Sequence, residues 1–62
     1  MKAVILSSLK QGSYFRLKDS EHAPLWVRSV YDRSSNMYEI NPYDNINVSR
    51  FRRGTLVVYV ED

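Results

Sequence analysis

The sequence predicts an all-β fold, a small five-stranded antiparallel barrel, and three observations predict it. Apolar residues recur with a period of two in short runs, Gly, Pro, Asn, Asp and Ser clusters punctuate those runs, and no helical period persists along the chain. At 62 residues, with 44% hydrophobic and 26% charged side chains, the chain has room for one domain spanning 1–62 and one small core. A single open sheet of this size would leave an apolar face wet and two edges free to pair, which is the argument for closure into a barrel.

The first element is the β-branched and aliphatic run Lys2 to Leu6. Leu9-Lys10-Gln11-Gly12 follows as a tight turn, with Gly12 able to take a positive φ that a side chain resists. Ser13 to Asp19 alternates, Phe15 and Leu17 on one face and Tyr14, Arg16 and Lys18 on the other, as a half-buried strand does. Pro24 marks the entry to the next run because it has no amide to give a central ladder. Leu25 to Tyr31, the turn formers Asp32-Arg33-Ser34-Ser35-Asn36, and Met37 to Ile40 form a hairpin, with Val27 and Tyr31 expected to share one face of the first arm. Asn41-Pro42-Tyr43-Asp44-Asn45 is the next loop, and Ile46 to Phe51 and Thr55 to Val60 are the last strands, joined through Arg52-Arg53-Gly54. The expected core is Val4, Leu6, Leu9, Phe15, Leu17, Val27, Tyr31, Tyr38, Ile40, Leu56, Val58 and Val60, with Val48 or Phe51 according to the register of the fourth strand.

The spacing Leu9-x-x-Gly12-x-x-Phe15-x-Leu17, the Tyr31-Asp32-Arg33 hairpin and Gly54-Thr55-x-Val57 before the terminal strand together resemble small bacterial and phage proteins with SH3-like barrels. The resemblance covers most of the chain and implies the fold; it carries no biochemical function with it. The Ala-Leu-Tyr-Asp-Tyr stretch of SH3 domains that bind Pro-rich peptides has no counterpart here, so that mode of recognition is not implied.

Composition excludes more functions than it selects. There is no cysteine, hence neither a disulfide framework nor a thiolate metal site, and packing or self-association must supply what such staples give other small domains. One His and seven scattered carboxylates offer no nucleophile and base pair, so no enzyme activity is expected. Asp19-Ser20-Glu21-His22 is the one tight polar cluster, but four consecutive side chains cannot all face one ion, and a solvated loop is the expected reading; neither metal nor cofactor is predicted. Gly12 and Gly54 each stand alone, so there is no phosphate-cradling glycine loop. The opening Met1 to Ser8 has four consecutive apolar residues, too few for a signal peptide or a membrane span, and a cytoplasmic protein without membrane attachment is expected.

Two candidate surfaces remain. The first is aromatic: if Val27 points inward, Trp26 points out, with Tyr14 or Tyr43 beside it, and such a patch marks a protein partner or a homo-oligomer. A bulge that turned Trp26 inward would remove it. The second is the run Arg50-Phe51-Arg52-Arg53, joined by Arg28, where guanidinium groups would grip phosphates and an exposed Phe51 would stack on a base of single-stranded nucleic acid. Against this, Phe51 could be core and the arginines ordinary edge charges. With a net charge of only +2, a protein-interaction module is the first expectation and a nucleic-acid-binding barrel the alternative.

Overall fold

A computed structural model describes all 62 residues. It is all-β, and six strands form where the barrel expectation counted five: β1 (Lys2–Ile5), β2 (Tyr14–Arg16), β3 (Leu25–Asp32), β4 (Met37–Pro42), β5 (Arg50–Arg52) and β6 (Val57–Val60). They make one open antiparallel sheet in the order β1-β6-β2-β3-β4-β5, with β1 and β5 at its two edges. A 3₁₀ turn at Leu6–Ser8 ends the first strand one residue short of its expected limit. Its backbone continues the contact with the chain before β6, Leu6 N–H donating to Leu56 O at 2.9 Å and Ser7 N–H to Gly54 O at 3.0 Å.

Local chemistry accounts for two of the boundaries. Gly12 adopts φ +91° in the turn before β2, and its N–H donates to Arg28 O at 2.7 Å, extending the pairing of β2 with β3 beyond the strand itself. The strand expected over Ile46 to Phe51 shrinks to Arg50–Arg52 because the Asn41 amide claims the backbone ahead of it. Its Nδ2 donates to Val48 O at 2.9 Å and to Ser49 Oγ at 3.1 Å. With those groups satisfied by a side chain, residues 43–49 stay a loop, and Ile46 is exposed.

The core lies on one face of the sheet, here called the inner face. Phe15 from β2, Ile40 from β4, Val58 from β6 and Leu6 from the 3₁₀ turn are fully buried, with Val4, Leu9, Leu17, Trp26, Tyr38, Leu56 and Val60 packed around them. Two expected core residues are displaced. Val27 pairs with Tyr14 and Asn41 and so lies on the outer face, opposite to Phe15, while Tyr31 is exposed. Val27 is outside because its neighbour Trp26 takes the inner position opposite Phe15, and a bulge further along β3 separates Tyr31 from the face of Val27. Arg28 faces Ile40 and Tyr31 faces Tyr38, with two residues between them on β3 against one on β4, so the extra residue at positions 29–30 breaks the alternation and puts Arg28 and Tyr31 on the same face. The inward side of Trp26 does not come from that bulge; it follows from its register opposite Phe15 and Pro42.

Candidate nucleic-acid interface

Cross-strand register assembles the inner face of β3, β4 and β5 into two rows, because residues directly opposite one another point to the same side. One row runs Arg28, Ile40, Arg50 and the next Tyr31, Tyr38, Arg52. Ile40 is the buried anchor, and the cationic and aromatic side chains surround it. The Arg28 guanidinium carbon stands 4.5 Å from the Tyr38 ring centroid, a cation–π contact, and Tyr38 lies 4.8 Å from Tyr31, ring planes tilted by 54°. Arg28 is half-buried and its Nε has no hydrogen-bond partner.

The electrostatics of this face come from what is not paired. The ion pairs of the molecule lie elsewhere: Arg16 with Glu61 at 2.7 Å, the N-terminal amine with Asp62 at 3.5 Å, and His22 near Glu21 at 3.9 Å. Arg50 and Arg52 each donate one guanidinium bond to a neighbouring backbone carbonyl, Ser49 O at 3.1 Å and Phe51 O at 2.8 Å, leaving their other donors to solvent. Glu39, the acidic residue of β4, is opposite Phe51 on the outer face, and Ser49 Oγ donates to its carboxylate at 2.6 Å. Asp32, at the end of β3, is held by its own turn: the Ser34 hydroxyl and N–H and the Ser35 hydroxyl donate to it, which lowers its pKa from the ordinary 3.8. No carboxylate therefore shares the inner face of β3–β5 with its three arginines.

The predicted site residues separate accordingly. Arg28, Arg50 and Arg52 come together on the inner face, and Arg53 follows at the end of β5. Phe51 is exposed but on the outer face, so it is not the aromatic partner of those arginines. Tyr31 and Tyr38 take that place. The sequence placed both in the core; Tyr38 does pack against it, whereas Tyr31 is exposed, and the signal for Tyr31 is its position beside the hairpin loop. Of the aromatic trio, Tyr14 and Tyr43 do meet, edge to face at 5.4 Å on the outer side, each a little over half exposed. Trp26 is parted from them, since it packs against the core on the other face and lines a groove of about 390 Å³ with Leu17, Pro24 and His22. No three His, Asp or Glu side chains converge on a common point, and no helix is long and apolar enough to cross a membrane. No family model matches the chain, and comparison with curated proteins and with solved structures gives no significant match either.

Proposed function

We propose that this protein is a non-catalytic module that binds single-stranded nucleic acid on the inner face of β3–β5. The observation that carries the reading is the pair of register rows, which gather Arg28, Arg50 and Arg52 beside Tyr31 and Tyr38 with no carboxylate among them. Along β5, Arg50 and Arg52 stand about 7 Å apart, and Arg28 is two strand spacings away at about 10 Å, so the cations form a patch rather than a point. Guanidinium groups bind phosphate oxygens whatever the sequence, and tyrosine rings give any base a face to stack on. Flexible single strands suit this combination because their bases are free to leave the backbone and stack. The resemblance to SH3-like barrels belongs to the same proposal; its support is the curl of the sheet, which brings Gly54 close to both Ser7 and Tyr38. A cytoplasmic setting, where single-stranded RNA is abundant, fits it.

A second reading, a protein-interaction or self-associating surface, draws on the exposed Tyr14–Tyr43 pair of the outer face. One set of titrations separates the two. Anisotropy of a labelled single-stranded oligonucleotide, measured across a range of salt, should show log K falling linearly with log salt at about 0.7 per phosphate neutralised. Replacing Arg50 and Arg52 together with Gln should lessen that slope by about 1.4. A flat salt response in the wild-type protein overturns the nucleic-acid reading, and sedimentation at rising protein concentration that shows growing oligomers would favour the second.

A further inference from the structure

Beside the row Tyr31, Tyr38, Arg52, the end of the hairpin and the β5–β6 turn enclose an open depression of about 300 Å³, lined by Ser7, Tyr31, Asn36, Tyr38, Arg53 and Thr55. Its shape depends on two backbone features. Gly54 also lines it, and a Cβ there would come within 2.9 Å of Tyr38 and 2.8 Å of Ser7, so only glycine lets this turn approach the tyrosine so closely. Asn36 takes φ +58°, and the Tyr31 hydroxyl donates to its Oδ1 at 3.0 Å, which fixes the amide and leaves its Nδ2 donors for a ligand.

From this lining we infer that the depression is a pocket for one nucleobase, taken from the strand that crosses the neighbouring arginine face. This rests on the nucleic-acid reading and adds a subsite to it. Base and phosphate each have a counterpart. Tyr31 and Tyr38 supply aromatic surface for a planar ring, Asn36 supplies amide donors for a base carbonyl, and Arg53, which has no carboxylate partner, supplies charge for the phosphate. Ser7 and Thr55 add hydroxyls that can donate or accept. Continuity sets the source of that base. Tyr31 and Tyr38 belong both to the pocket and to the row ending in Arg52, so a strand held by Arg50 and Arg52 passes next to the opening.

The test compares two probes of equal length, oligothymidylate and an abasic deoxyribose-phosphate oligomer, titrated into the wild-type protein and into Tyr31→Ala. Tyr31 is exposed and outside the buried cluster, and Asn36→Gly, which keeps the positive φ while removing the amide, serves as a second variant should the first unfold. The wild-type protein should bind the base-bearing probe about 5- to 150-fold more tightly than the abasic one. Asn36→Gly, which lies outside the arginine rows, should lower that ratio several-fold while leaving the salt slope unchanged, and Tyr31→Ala should lower it further because it also removes a stacking ring of the face itself. Equal affinity for both probes with an intact salt slope overturns the pocket and leaves the arginine face standing. Absence of binding by both probes overturns the underlying reading and the pocket with it. Thymidine monophosphate binding as tightly as the oligonucleotide, with amide shifts at Tyr31 and Asn36, overturns the strand as the source and makes the occupant a free nucleotide.

Discussion

Asp32 shows how a single side chain ends a strand. Three donors from Ser34 and Ser35 converge on its carboxylate at 2.8 to 3.0 Å, closing the turn that reverses β3 into β4, and they stabilise the charged form. Because the folded-state pKa is depressed below 3.8, the unfolded chain binds the proton more readily in the window just beneath that value. The stability from these bonds is therefore fully present above the unfolded pKa and is lost as pH falls through the folded one. An NMR titration should place the Asp32 midpoint below 3.8, and Ser34→Ala should raise it; an unshifted midpoint in the wild-type protein would remove the turn's electrostatic contribution. Arg16 plays a different part, its Nε donating to Ala23 O at 3.0 Å while its Nη1 meets Glu61, so one cation links the entry to β3 with the chain's last residues.

At the scale of elements, the two glycines make opposite demands. Gly12 has φ +91° and open space where a Cβ would stand, with no atom within 4 Å, so its requirement is conformational; Gly54 is crowded by Ser7 and Tyr38, so its requirement is space. Gly12→Asn should cost under about 1 kcal/mol, since Asn visits the left-handed region more readily than other residues. Gly54→Asn should cost about 1 to 3 kcal/mol through overpacking. Urea melts of the two variants check the order, and a reversed order would mean that the β5–β6 turn can move away from Tyr38. The turn at Gly12 was legible because positive φ at glycine is a local property. The bulge in β3 was not, since Leu25 to Asp32 reads as uninterrupted strand, and only pairing with the shorter partner segment of β4 exposes the extra residue. That one residue decides whether Tyr31 shares the outer face with Val27 or the inner face with Arg28.

For the whole molecule, the decisive quantity is the size of the core. Four side chains are fully buried out of 62, so stability rests on few contacts, and a domain of this length is held by about 3 to 9 kcal/mol in total. Ile40→Ala should cost about 2 to 5 kcal/mol, as much as half of that or more, because Ile40 anchors the row between Arg28 and Arg50. Ile46→Ala, at a residue 74% exposed, should change stability by no more than about 0.5 kcal/mol. Denaturant unfolding of both variants measures the difference, and comparable effects would mean that the loop over 43–49 holds the fold as much as the core does.

By itself the sequence determined the all-β class, the run of short strands, the turns at Gly12 and Asp32 to Asn36, and the clustering of Arg50, Arg52 and Arg53, because alternation, turn chemistry and linear charge density are properties of neighbouring residues. Only the tertiary structure decided that the sheet is open with six strands, that Trp26 turns to the core, that Phe51 leaves the arginines, and that Tyr31 and Tyr38 join them. The physical reason is register. Which residues share a face is set by how one strand aligns with another, and a single unpaired residue in β3 reverses that alignment without leaving a mark on the local pattern.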